Sequence, residues 1–284
     1  NLIATFIAIL SVITAIAQPF VDVVNVQVQQ FGFNEKSTTE YTGNIFLPLE
    51  LKSGSVVIIG ASGNQLSFDN GNDLPKTNLS AVSLQLGGIK KWNDEWSTMA
   101  LAIPKISSDF KDITIKDYQM GGAGLMIKTV NEDFKYKFGL YYNREFFGNF
   151  FMPLFGFEWK ATEKLQIFGV LPGNMNIEYK LSDKFYTGIS YKSITTSFRI
   201  SGFDDKLYVR DGHKFWGHNQ LKGFINYYPV KGLALYSEVG HTAFRQFNVY
   251  ESGKKEQLSS LNGFKDNLFI NIGASIRVRL DNKN

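Results

Sequence analysis

Three histidines are the residues around which a hydrolytic or metal site would have to be built, because the chain contains no cysteine. His213 and His218 share the polar stretch 201–218 with several aspartates, and His241 stands beside Thr242. A hydrolytic site needs a nucleophile and a base within hydrogen-bond reach, and loop histidines without set spacing are weak evidence for one. The i, i+5 spacing of His213 and His218 also matches no regular metal-ligand geometry. We therefore predict no catalytic residues, no metal and no cofactor.

Charged and amide side chains recur at every second position of long, otherwise apolar segments. In the last of these, 268–280, Asn271, Arg277 and Arg279 alternate with leucine, isoleucine and valine. Such alternation predicts a strand with one apolar and one polar face. At about 3.3 Å per residue and a tilt near 40°, this segment rises roughly 33 Å, enough to cross the apolar band of about 25 Å around a transmembrane β-barrel.

Segments of this kind follow one another through the chain, and every second connection between them is short. The pattern predicts an all-β, antiparallel up-and-down barrel of about fourteen strands, with about twelve as the alternative, and with both termini on the periplasmic side. It predicts single strands over 185–200 and 232–249, and long extracellular loops over 201–218 and 250–265. A soluble β-sandwich is the alternative architecture, but its strands are about half as long.

The composition agrees with many aromatic-rich strands joined by tight turns. Aromatic residues make up 15% of the chain, and 26 glycines accompany only 7 prolines, a balance typical of strands and glycine-containing turns. The net charge is only +4 and the basic residues are scattered, so the chain lacks the electrostatic footprint of a nucleic-acid-binding protein.

Residues 1–17 form an apolar run that ends in small residues, which predicts a signal peptide cleaved between Ala17 and Gln18. A membrane-anchor helix is the alternative, although the run is shorter than the ~20 residues that a span needs. The remainder, 18–284, is then a single domain, an outer-membrane β-barrel. Its expected partners are outer-membrane lipid and the barrel-assembly machinery.

The polar face of the predicted strands should line the lumen, because a charge facing lipid costs about 2–4 kcal/mol at the bilayer midplane. Both signs of charge are present on that face, and we expect Glu178 or Glu158 to balance Arg277 and Arg279. Two interpretations stay open, a hydrogen-bonded plug of side chains and the wall of a solute path, since about fourteen strands lie between filled and water-filled barrels. The candidate lumen-lining residues are Glu158, Glu178, Lys180, Lys192, Glu238, Asn271, Arg277 and Arg279.

Five segments, 92–98, 108–112, 138–148, 153–159 and 169–173, together resemble an uncharacterised family of outer-membrane β-barrel proteins, a domain of unknown function common in Bacteroidota-type bacteria. The most distinctive part reads YYNREFFG. The resemblance would cover most of the chain and implies the barrel fold and the cell outer membrane of a Gram-negative bacterium. It implies no activity and no site residue.

These observations predict an outer-membrane barrel that passes a small or partly hydrophobic solute by passive diffusion. The alternative is a barrel without transport that binds or scaffolds a surface partner through the loops 201–218 and 250–265. A hydrolase at the barrel rim is a third and weaker hypothesis, so we predict that the protein is not an enzyme.

Overall fold

A computed structural model describes residues 19–32, 37–69, 78–201, 207–211, 218–251, 257–260 and 265–280. The predicted signal peptide and Gln18 lie outside these ranges. The described residues form eighteen strands and one short 3-10 turn, Ile115–Asp117. The strands are β1 (Phe20–Phe31), β2 (Ser37–Glu50), β3 (Val56–Asp69), β4 (Asn78–Lys91), β5 (Trp96–Ser108), β6 (Tyr118–Thr129), β7 (Phe134–Glu145), β8 (Gly148–Lys160), β9 (Leu165–Leu171), β10 (Asn174–Lys180), β11 (Phe185–Ile194), β12 (Thr196–Ile200), β13 (Leu207–Asp211), β14 (His218–Val230), β15 (Leu233–Ala243), β16 (Phe247–Glu251), β17 (Gln257–Ser260) and β18 (Leu268–Arg279).

Fourteen of these strands close into an antiparallel barrel. They are β1 to β11 with β14, β15 and β18, and β18 pairs with β1 to complete the ring. The prediction of an all-β barrel with fourteen strands is therefore confirmed. Both described termini lie at the end of the barrel with the tight turns, here called the turn end, and the longer connections lie at the loop end.

The outer surface of the barrel is apolar. Leu84 on β4, Ile189 on β11 and Ile272 on β18 are 45%, 54% and 63% exposed, whereas the adjacent Ser190 and Asn271 are buried. Alternation along each strand sends apolar side chains outward and polar ones inward. A closed ladder with an apolar exterior leaves no unpaired edge, which is the form in which strands cross a bilayer. None of the described helical segments has the length and hydropathy of a membrane span.

Two of the predicted strands are interrupted. The strand predicted over 185–200 leaves the wall after Ile194, and the strand predicted over 232–249 leaves it after Ala243. Phe244, which follows that second break, has a φ of 63°, a left-handed conformation in which a strand cannot continue. The sequence pattern misses both breaks because the segments beyond them also alternate with period two.

The segments beyond the breaks form a small sheet inside the loop end of the barrel. This inner sheet consists of β12, β13, β16 and β17 and meets the wall at one parallel pair between β12 and β5. Its apolar face packs on inward-facing residues of β3 and β4. The buried cluster contains Phe198, Val209 and Phe247 from the inner sheet and Leu66, Phe68, Leu79 and Ala81 from the wall. Residues 207–211 of the first segment predicted as an extracellular loop, and residues 250–251 of the second, thus belong to strands that lie in the lumen.

The described ends of the chain form a ribbon that leaves the wall at the turn end. β1 pairs with β2 only over residues 24–31, and β18 pairs with β15 only over residues 268–276. Beyond these limits, residues 20–22 and 277–279 make ladder pairs only with each other. We call residues 20–22 and 277–280 the terminal ribbon.

Both faces of the terminal ribbon are covered inside the barrel. The ring of Phe20 meets that of Phe168 on β9, across the barrel, with centroids 5.7 Å apart. On the other face, Val21, Val278 and Leu280 join an apolar cluster on the inner side of β3 to β5. The alternation predicts the polar face of 268–280 toward the lumen and the apolar face away from it, but Val278 and Leu280 of the apolar face also lie inside the barrel, because the chain has turned inward by that point.

Candidate functional site

Inside the barrel, one side is filled by packed side chains, many of them apolar, and the other is lined mainly by polar ones. The apolar side is formed by buried residues of β3 to β8, such as Ile58, Leu125 and Leu154. The polar side is formed by β1, β2, β10, β11, β14, β15 and β18. It borders a chamber of about 360 Å³, whose lining includes Asn25, Asn44, Asn174, Asn176, Lys192 and Glu238. The chamber is the candidate site, since it is the space where polar side chains converge.

Three carboxylates of described residues line the chamber, and each is held by a cation. Arg277 binds Asp22 through two nitrogens, at 2.5 and 2.9 Å. The remaining pairs are Arg279 Nη2 with Glu178 Oε1 at 2.6 Å and Lys222 Nζ with Glu238 Oε2 at 2.6 Å. Asn271 Nδ2 also donates to Glu238 at 2.6 Å. These charge-assisted bonds lock the carboxylates into the wall.

Only one of the two arginines pairs with a carboxylate that the sequence predicts for it. Arg279 does bind Glu178, but Arg277 binds Asp22, and Glu158 lies elsewhere, 2.9 Å from Lys137. Asp22 was missed because it has the same parity as the outward-facing Val24. The register of β1 against β18 shifts between Asp22 and Val24, and a bulge of this kind reverses the face of the residues beyond it.

The other candidate lumen residues occupy distinct places. Glu238 and Asn271 are hydrogen bonded to each other on β15 and β18. Lys180 lies at the turn end of β10, where its Nζ is 2.8 Å from Asp183. The hydrogen bond that Lys180 donates lowers the pKa of Asp183, and the positive charge of Lys180 lowers it further. Lys192 borders the chamber, and its side chain makes no hydrogen bond or ion pair with any residue that the structure describes.

The histidines do not come together in the described part of the chain. His218 is buried inside the barrel against the ring of Phe31, with centroids 5.7 Å apart. His241 is on the outer face, opposite the exposed Leu221 and Leu268, and His213 lies outside the described residues. Among described residues, no group of three histidine, aspartate or glutamate side chains could hold a metal ion.

The distinctive segment 141–148 anchors the inner sheet to the wall. Glu145 is 4% exposed and accepts hydrogen bonds from Lys105 and Gln119, each at 3.1 Å, and from Ser197 on β12. Phe147 lies 4.0 Å beneath the guanidinium of Arg210 on β13. The adjacent Arg144 is exposed on the outer face. This segment therefore supplies hydrogen-bond and cation–π partners to the polar face of the inner sheet.

A second anchor follows β5. Asp117, which is fully buried, accepts hydrogen bonds from Arg199 Nε at 2.6 Å and Nη2 at 2.8 Å. Asp109 accepts from the backbone N–H of Ser201 at 3.2 Å and from its hydroxyl at 2.7 Å. Both aspartates lie in or near the segment 108–112, so two of the segments that carry the family resemblance hold the inner sheet in the lumen.

The chain is similar in fold to several solved outer-membrane proteins. It matches the NanC porin with a TM-score of 0.42 and 10% identity over 90% of this chain and 100% of that one. It matches outer membrane phospholipase A from Escherichia coli with a TM-score of 0.40 and 13% identity, over 95% and 97%. It matches the Pseudomonas putida toluene transporter TodX with a TM-score of 0.36 and 8% identity, over 89% and 87%.

These similarities concern the fold and do not assign an activity. No curated protein matches the chain. The family described as "Domain of unknown function (DUF6268)" matches residues 26–277, a range that runs from β1 to the start of the terminal ribbon in β18 and includes both anchors of the inner sheet. The chain therefore belongs to this family of unknown function.

Proposed function

We propose that the protein lies in the outer membrane of a Gram-negative bacterium and passes a small solute through the polar side of its lumen. The observation that carries this proposal is the chamber of about 360 Å³ on that side. A barrel that served only as a scaffold would gain stability by filling this space as it fills the apolar side, because protein interiors are close-packed.

The strands of the wall are short beside the chamber. Their shortness supports a route into the chamber from the loop end. β9 and β10 have seven residues each, whereas β7 and β8 have 12 and 13. β8 pairs with β9 only over residues 155–160, so its residues 148–154 have no described strand on that side. Asn174, at the start of β10, is exposed and also lines the chamber.

The inner sheet sets how wide this route is. It fills the loop end on the side of β3 to β7, where its anchors lie, and leaves the side of β9 to β11 to the chamber. A surface-binding role through the segments 201–218 and 250–265 is less well supported, since β13 and β16, which belong to these segments or adjoin them, are packed inside the barrel. A route that the inner sheet narrows in this way favours small, partly polar solutes.

Liposome swelling tests the proposal. Folded protein in liposomes should admit small polar solutes faster than protein-free liposomes do. Phe198→Asp should raise the rate severalfold, because a charge in the buried cluster expels the inner sheet without touching the barrel ladder. Leu51→Asp, at an exposed turn, is the control and should leave the rate unchanged. Absence of flux in both the wild type and Phe198→Asp, with both proteins folded, would refute transport.

A further inference from the structure

A row of three side chains with nitrogen donors lies on the inner face of the barrel, and two of them, Asn174 and Lys192, line the chamber. Lys192 on β11 lies directly opposite Asn174 on β10 and directly opposite Gln220 on β14. Side chains at opposed positions of an antiparallel pair have Cβ atoms about 5 Å apart. The three side chains therefore form one contiguous row on the inner face of the barrel.

The donors of this row are not used within the described part of the protein. The side chain of Lys192 has no hydrogen bond or ion pair there, and Gln220 Nε2 is buried without a partner in a residue only 1% exposed. Asn174 accepts a hydrogen bond at Oδ1 from the backbone N–H of Val170, which leaves its NH₂ group to donate. A buried donor without a partner is costly, so the row is complementary to an acceptor that is not part of the chain.

The positive charge of Lys192 within the row favours an anion as that acceptor. The neighbouring carboxylates are already committed, Glu238 to Lys222, Glu178 to Arg279 and Asp22 to Arg277. Glu40, on the inner face of β2, accepts from Asn64 at 3.2 Å. Lys192 is thus the cation of the chamber whose charge is not neutralised by direct contact with a described carboxylate.

The rest of the chamber provides apolar surface. The rings of Phe20, Phe168 and Phe224 line it together with the amide side chains. Asn174 is exposed and Gln220 is buried, so the row runs from the low rim at β9 and β10 toward the interior. A ligand entering there would meet donors first and aromatic rings behind them.

Resting on the proposed function, we propose that the row Asn174, Lys192 and Gln220 binds the anionic group of a small organic anion as it enters the chamber. A carboxylate fits this row because its two oxygens accept several N–H donors at once. The apolar body of the anion would contact the phenylalanine rings. The site therefore selects charged solutes that are also partly hydrophobic.

Binding of benzoate to the folded protein in detergent, measured by calorimetry, tests the site apart from transport. Benzamide, which has the same ring without the charge, is the matched probe and should bind far more weakly. Lys192→Met should weaken benzoate binding about 10-fold or more, as expected for loss of a hydrogen bond to a charged group. Asn174→Leu, at the exposed end of the row, should weaken it roughly threefold.

Lys180→Met is the control and should leave benzoate binding unchanged. It also removes one positive charge, but from the turn end of β10, where Lys180 contacts Asp183. Heat-modifiable migration in gel electrophoresis verifies that each variant is folded. No benzoate binding by the folded wild type, or equal affinity of the wild type and Lys192→Met, would overturn the site. Benzoate binding that depends on Lys192, without flux into liposomes from either the wild type or Phe198→Asp, would leave the site standing and refute the proposed transport.

Discussion

At the scale of single residues, the Asp117–Arg199 ion pair is the contact most directly open to test. Arg199 donates to Asp117 through two nitrogens and to the carbonyl of Asp112 at 2.7 Å. Removing one partner of a buried pair leaves an uncompensated charge, which costs about 3–5 kcal/mol. We expect Arg199→Met to lower the free energy of unfolding by about 3 kcal/mol in urea titrations in lipid vesicles. The double variant Asp117→Asn/Arg199→Met should lose less than the sum of the two single variants.

The same pair predicts a pH dependence. Burial raises the pKa of Asp117, but hydrogen bonds from Arg199, Thr114 and Ser108 outweigh it and lower that pKa below the ordinary value of 3.8. The carboxylate that stabilises the fold is thus present at neutral pH and is lost only as the pH falls through the lowered pKa. The stability difference between the wild type and the double variant should stay constant from about pH 8 to about pH 5 and shrink only below about pH 4. A decline between pH 8 and pH 5 would contradict this assignment.

At the scale of elements, β18 changes its surroundings near its end. Ile276 is 45% exposed on the outer surface, whereas Val278, on the same face of the strand by sequence, packs inside the barrel. Because the chain contains no cysteine, single cysteines can report this change. We expect a lipid-soluble maleimide to label Ile276→Cys and to spare Val278→Cys in reconstituted protein. Equal labelling would mean that β18 stays in the wall to its end.

The inner sheet is an element that local patterns do not separate from the barrel. Residues of β12 alternate between an apolar cluster, which Phe198 joins, and polar partners, which the side chains of Ser197 and Arg199 contact. A barrel strand alternates in the same way between lipid and lumen. What distinguishes the two is contact with residues distant in sequence, since Arg199 meets Asp117 across 82 positions. The sequence therefore predicts strands there but not the lumen as their location.

At the scale of the whole molecule, depth in the bilayer should govern the effect of outward-facing charges. Leu84 on β4 and Leu51 in a turn are similarly exposed, at 45% and 49%, but only Leu84 lies within the span of the strands. Leu84→Arg should cost about 2–4 kcal/mol of unfolding free energy, and Leu51→Arg about 0–1 kcal/mol. Urea unfolding in lipid vesicles measures both. Equal costs would contradict the placement of the apolar band.

Part of the candidate chamber follows from sequence alone. Lys192, Glu238 and Asn271 were assigned to the polar face of their strands by alternation, and the structure places each of them inside the barrel. Asp22 was not found because a register shift in β1 reverses its face. Gln220 was not singled out because it is an ordinary polar residue of a predicted strand, and its significance rests on the Lys192 that lies opposite it.

The sequence by itself determined the strands of the wall, the direction of most of their side chains and the closure into a barrel of about fourteen strands, because alternation with period two is a local property that burial on one face imposes. Only the tertiary structure decided which segments leave the wall and fill the lumen. The inner sheet and the terminal ribbon are held by contacts between distant residues, such as Phe20 with Phe168 and Asp117 with Arg199. Local alternation is the same whether a strand faces lipid or lies inside the barrel. The position of the chamber therefore follows only from the packing of the inner sheet and the terminal ribbon.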